Sequence, residues 1–115
     1  MVYRSHWLRV LFVCVLSATA FLNLHAGAAR KQTFTGEVGD AMCGRKHMES
    51  TPAECTRTCV SHGSKFALVV GEKIYILETS DKTALATLDQ QAGKNATVIG
   101  VLNGDTIEVS SVAAK

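Results

Sequence analysis

The sequence predicts a mostly β fold with α-helical insertions, built as a small five-stranded barrel. Three kinds of local signal lead to this fold class. Short segments alternate apolar and polar residues, which is the period of a half-buried strand. Glycine-containing turns join two pairs of these segments, and helix-capping residues precede two others. The predicted order is strand, helical insertion, strand, strand, helix, strand, strand.

The first predicted strand follows a flexible lead-in at residues 29–32 and spans residues 33–40. Within it, Phe34, Gly36 and Val38 share one face, and polar residues occupy the other. A glycine inside a strand indicates a bend of the kind found at a barrel corner. The strand is therefore expected to curve.

The helical insertion is predicted at residues 41–63. Thr51 and Glu54 have the spacing of a capping box, in which each side chain reaches the other's backbone N–H group. Pro52 occupies the favoured first helical position. The helix should therefore begin at Pro52 and stop at Gly63, because glycine commonly ends a helix.

The later strands are expected at residues 65–70, 73–78, 96–102 and 106–112. Gly71-Glu72 and Asn103-Gly104 predict tight hairpin turns within the two pairs. Between the pairs, Ser80 or Asp81 can cap a short helix with one apolar face. Without the insertion, the order β-β-β-α-β-β is that of an OB-fold, a partly open five-stranded barrel. An open α+β sheet is the main competing architecture.

Residues 1–28 have the features of a secretory signal peptide. Two positive charges and no acid precede an apolar stretch from Val10 to Leu24, and Ala26-Gly27-Ala28 supplies small residues for cleavage. The interrupted apolar stretch is short for a transmembrane helix, although an uncleaved anchor is the alternative. We therefore expect a periplasmic or secreted OB-like domain at residues 33–115, with no membrane anchor after cleavage.

Removing 28 of the 115 residues leaves 87 residues and changes both the charge and the cysteine count. The 12 basic residues become 10 and match the 10 acidic residues, so no basic excess indicates nucleic-acid binding. Loss of Cys14 leaves three cysteines in an oxidising compartment. An odd number is consistent with a disulfide plus one free thiol, an intermolecular bridge, or a metal site.

The remaining cysteines form a candidate metal site with a nearby histidine. Cys43, His47, Cys55 and Cys59 have the spacing C-x3-H-x7-C-x3-C, and His62 is a further candidate ligand. A Cys3His set suits tetrahedral zinc, and soft thiolates also suit copper(I). Cys55 and Cys59 are four residues apart on the predicted helix and share a face. Asp40 is expected to orient His47 through a hydrogen bond.

Two other interpretations use the same cysteines. Cys43 can pair with Cys55 or Cys59 in a structural disulfide, which would give a stapled module that binds a polymer or a partner protein through its barrel face. Alternatively, the protein is a thiol-redox protein in which Cys55, in the first turn of its helix, is the reactive thiol. No catalytic, nucleotide-binding or haem-attachment motif is present, so no enzymatic activity is predicted.

The chain resembles a family of small secreted bacterial proteins of unassigned function. Two motifs carry the resemblance: D-x-x-C-G-x-x-H at residues 40–47 and C-x-x-x-C-V-x-x-G at residues 55–63. The final hairpin, at residues 98–109, is also similar to that of the family. The resemblance implies an exported single domain built as a small β-barrel, and it implies no activity.

Overall fold

A computed structural model of the chain describes residues 29–44, 46 and 51–115. The predicted signal peptide at residues 1–28 and the predicted ligand His47 lie outside the described residues. The elements are β1 (Lys31–Asp40), α1 (Pro52–Ser61), β2 (Phe66–Val70), β3 (Lys73–Glu78), α2 (Lys82–Gln90), β4 (Asn95–Asn103) and β5 (Thr106–Ala114). The mostly β composition and the element order are therefore as the sequence predicts.

The five strands form one closed sheet in the spatial order β1-β2-β3-β5-β4. Neighbouring strands are antiparallel except for β3 and β5, which are parallel. The long strand β1 closes the sheet because it pairs with β4 along its first part and with β2 along its second part. Glu37 belongs to both ladders, opposite Asn95 on one side and Val69 on the other.

Two strand glycines allow the sheet to curve tightly. A Cβ atom on Gly36 would lie 2.2 Å from the carbonyl oxygen of Val69, and one on Gly100 would lie 2.3 Å from that of Glu108. Gly100 also marks a register shift in the pairing of β4 with β5. Both positions therefore require a residue without a side chain, as the barrel-corner interpretation of Gly36 predicts.

The strand boundaries differ slightly from the predicted ones. β1 begins at Lys31, so Lys31 and Gln32 belong to a strand and not to a flexible lead-in. The reason is long-range pairing, since these residues lie opposite Val101 and Gly100 of β4. Likewise, Asn103 remains in β4, so the last hairpin turns through Gly104-Asp105.

Both helices begin at the capping residues that the sequence indicates. The Thr51 hydroxyl accepts a hydrogen bond from the backbone N–H of Glu54 at 3.2 Å, and Pro52 follows in the first turn of α1. Of the two candidates for α2, Asp81 is the cap, and it accepts from the N–H of Ala84 at 3.0 Å. The helices are therefore determined locally.

The interior of the closed sheet is apolar. Leu88 of α2 is fully buried and packs against it. The buried cluster consists of Val38, Phe66, Leu68, Leu77, Leu88, Ala96, Val98 and Ile107. Among the described residues, no helix has the length and apolar character that a membrane crossing needs. α1 takes no part in the sheet and instead contacts β1, which places it beside the end of that strand.

Candidate metal centre

Asp40 is the last residue of β1 and is completely buried. One carboxylate oxygen, Oδ2, accepts hydrogen bonds from the backbone N–H groups of Met42 and Cys43, both at 3.0 Å. Its backbone carbonyl accepts another from the N–H of Gly44 at 3.0 Å. Asp40 therefore folds residues 41–44 into a turn, which brings Cys43 back towards the strand end.

The other two cysteines come from α1. Cys55 is 1% exposed and Cys59 is half-buried. α1 also contacts α2, because the guanidinium of Arg57 donates a hydrogen bond of 2.9 Å to the carbonyl of Asp89, next to the end of α2. Since residues four apart on a helix share a face, the spacing of Cys55 and Cys59 directs both thiols to the same place.

The turn and the helix bring four donor side chains together. The donor atoms of Asp40, Cys43, Cys55 and Cys59 all lie within 4.8 Å of one another. The Sγ atoms of Cys43 and Cys59 are 3.4 Å apart. Two thiolates on a tetrahedral zinc ion, with Zn–S bonds of about 2.3 Å, are separated by about 3.8 Å. The spacing of the four donors is therefore close to what one metal ion needs.

The second carboxylate oxygen of Asp40 is left without a partner. Oδ1 is buried and accepts no hydrogen bond from any described residue. A buried polar atom without a partner lowers stability, and the cost is larger for a charged group. A cation bound among the three cysteines would supply the missing interaction. This orphaned oxygen is the feature that distinguishes the cluster from a set of packed thiols.

Two of the thiols, Cys43 and Cys59, hold their protons more tightly than ordinary cysteines. The pKa of Cys59 is raised from 9.0 to about 12 by its hydrogen bond to Cys43, by burial and by the negative charge of Asp40. For Cys43, the hydrogen bond with Cys59 lowers the pKa, but the hydrogen bond with Cys55, burial and Asp40 raise it, and the net shift is upwards. A metal ion must therefore displace protons from these thiols to bind.

The structure brings together three of the four predicted ligands, namely Cys43, Cys55 and Cys59. It adds Asp40, to which the sequence interpretation gave a supporting role. Asp40, which was expected to orient His47, presents its own carboxylate to the cysteines. His62 is not part of this cluster: it is exposed and forms the C-cap of α1. The D-x-x-C spacing could have indicated the role of Asp40, because an aspartate at a strand end often folds the following turn.

The structure also bears on the two other interpretations of the cysteines, a structural disulfide and a reactive thiol. Among the described residues, Cys43, Cys55 and Cys59 form no disulfide. Of the two disulfide pairings that the sequence left open, the structure gives a sulfur contact of 3.4 Å for Cys43 with Cys59. Cys55, the thiol expected to react in the redox interpretation, is 1% exposed, so burial shields it from an external disulfide.

No protein-family model, no curated protein and no solved structure matches this chain. The interpretation of the site therefore depends on its own donor set. Three sulfurs and one carboxylate oxygen form a mixed, mostly soft set with an overall negative charge when deprotonated. Such a set can bind a soft or borderline cation.

Proposed function

We propose that this protein is an exported metal-binding module that holds one zinc ion through Asp40, Cys43, Cys55 and Cys59. The observation that carries the proposal is the convergence of four donors around a buried carboxylate oxygen that no described residue satisfies. His47 follows Cys43 closely in the sequence and is a candidate to replace or supplement one donor.

The donor set favours zinc over copper(I). Zinc accepts sulfur and carboxylate oxygen together in tetrahedral sites. Copper(I) prefers soft thiolate and thioether sulfur, and the Asp40 carboxylate is a hard oxygen donor. Copper(I) bound by the three cysteines alone is the second candidate, and it would make Asp40 dispensable.

The fold around the site supports a further part of the proposal, which concerns the architecture and export of the protein. The strand order β1-β2-β3-β5-β4 and the helix between β3 and β4 agree with an OB-type barrel, in which the cysteine insertion follows β1. We further propose that the protein belongs to the family of small secreted proteins that it resembles and that residues 1–28 are removed on export. The mass of the exported protein tests cleavage: a mature chain that retains these residues would contradict it.

Metal analysis of the reduced protein, purified from the periplasm, tests the function. We expect about one zinc ion per chain. Asp40→Asn should weaken zinc binding by at least about 10- to 100-fold, because this is already the usual loss when a group that only supports a metal ligand is removed. The change keeps the size of the side chain and its ability to accept from Met42 and Cys43. Asp105→Asn is the control, because Asp105 is an exposed residue of the β4–β5 turn.

Three outcomes separate the candidates. A protein without bound metal that also fails to bind added zinc would refute the proposal. A metal content that Asp40→Asn leaves unchanged, with copper in place of zinc, would favour the copper(I) site. If Asp40→Asn and Asp105→Asn weakened zinc binding equally, negative charge in general, and not the Asp40 carboxylate, would attract the metal.

A further inference from the structure

The two half-buried thiols of the cluster are close to the geometry of a disulfide. Their sulfurs are 3.4 Å apart, and a disulfide needs about 2.0 Å, so they have to approach by about 1.4 Å. Cys43 lies on the turn at residues 41–44 and Cys59 lies on α1, so different segments carry them. Cys55 and Cys59, by contrast, lie along one helix face, an arrangement that disfavours a disulfide.

We propose that oxidation gates the metal site: Cys43 and Cys59 form a disulfide when metal is absent, and this disulfide prevents metal from binding. The inference rests on the proposed function, and it adds a control on when the site is available. Its chemical partner is a small-molecule or protein disulfide, which is the usual oxidant for thiols outside the cytosol.

The reaction is a thiol–disulfide exchange in two steps. The thiolate of one cysteine attacks the external disulfide, which forms a mixed disulfide and releases one thiol of the oxidant. The thiolate of the other cysteine then attacks the protein sulfur of this mixed disulfide and releases the second thiol. Two cysteine protons are transferred or released to solvent, and two electrons reduce the external disulfide. A zinc ion held by Cys43 and Cys59 would occupy both sulfurs and so block the first step, and the ion itself would be neither oxidised nor reduced.

The remaining donors explain why oxidation would empty the site. Cys43 and Cys59 supply two of the four donors, and a disulfide sulfur is a poor ligand compared with a thiolate. Cys55 stays reduced because it is 1% exposed. Cys55 and Asp40 are then the remaining described donors, which is too few for a tetrahedral zinc site.

Oxidised glutathione, with and without zinc, tests the proposal on the exported chain without residues 1–28, which contains three cysteines. In the metal-free protein, we expect two of the three thiols to disappear, as counted after denaturation. Trypsin cleaves after Arg45, Arg57 and Lys65 and so separates the three cysteines into different peptides. Mass spectrometry should find the Cys43 peptide joined to the Cys59 peptide. Zinc should slow the reaction at least about tenfold, because the thiolates are ligated.

Matched variants identify the pair and keep the result interpretable. Cys55→Ser should still form the disulfide in the metal-free protein, and Cys59→Ser should not. A crosslink that contains Cys55, an oxidation rate that zinc does not change, or an oxidised protein that still binds zinc would each overturn the gate. Zinc binding to the reduced protein is measured separately, so a failure of the proposed function is recognised by itself.

Discussion

The closed sheet and the cysteine cluster share β1 but are held together by different forces. The sheet encloses apolar side chains, among them Leu68 and Ile107, which are both fully buried. At the end of the same strand, Asp40 is equally buried, yet its neighbours are thiols and it keeps an unpartnered oxygen. The sheet is therefore complete without a ligand, whereas the cluster leaves a charge for a cation to balance.

The difference indicates that the apolar sheet accounts for most of the stability, whereas the proposed metal binding depends on the cluster. Burial of apolar surface in the sheet stabilises the fold whether or not a metal is bound. The cluster would stabilise the fold further if a metal were bound, because a ligand that binds the native state adds its binding free energy to the free energy of unfolding. Substitutions in the two regions should therefore respond differently to metal.

The largest effect is expected in the sheet. Leu68→Ala removes a fully buried side chain of β2 and should lower the free energy of unfolding by about 3 kcal/mol. The loss should be similar with and without zinc, as measured by urea denaturation. Ile99→Ala, in β4 with a side chain that is 38% exposed, is the control and should cost less than about 1 kcal/mol. If Leu68→Ala lowered the free energy of unfolding only in the presence of zinc, the sheet would not be independent of the metal site.

The next effect belongs to the cluster. Zinc at about 100 times its dissociation constant should raise the free energy of unfolding by about 2.7 kcal/mol. Cys55→Ser should abolish this increase, because Cys55 is one of the four converging donors. Denaturation with zinc and with a chelator measures the difference. If zinc stabilises Cys55→Ser as much as the wild type, metal binds elsewhere.

High pH should weaken the metal-free protein through the cluster. The folded pKa of Cys59 is raised from 9.0 to about 12, so folding favours the neutral thiol. This contribution to stability is complete below pH about 9 and is lost as the pH rises towards 12. Denaturation of the chelated, reduced protein across this range should show a smaller pH dependence in Cys59→Ser than in the wild type. Identical pH profiles for Cys59→Ser and the wild type would mean that the Cys59 thiol does not cause the loss of stability at high pH.

The smallest effect is expected at the contact between the two helices. Arg57 and Asp89 form an exposed ion pair, with 3.5 Å between Nε and Oδ1. Because exposed pairs contribute little, Arg57→Ala should lower the free energy of unfolding by about 0.5 kcal/mol, and zinc affinity should stay nearly unchanged. Calorimetric titration with zinc measures the affinity. A large loss of affinity would show that this contact positions α1 over Asp40.

Much of the fold was predictable because its signals are local. The helix starts follow from Thr51 and Asp81, whose side chains bond backbone groups three residues away. The hairpin turns follow from Gly71 and Gly104, which both have positive φ angles of 57° and 62°. These interactions involve neighbours in the chain, so the order of residues is enough to identify them.

The sequence by itself determined the elements, their order and the three cysteines of the candidate site. Only the tertiary structure decided which strands close the sheet and which carboxylate meets the thiols. The parallel pairing of β3 with β5 and the place of Asp40 beside Cys55 depend on contacts between distant segments. Such contacts depend on how the whole chain packs, so they cannot be identified from a short stretch of the sequence.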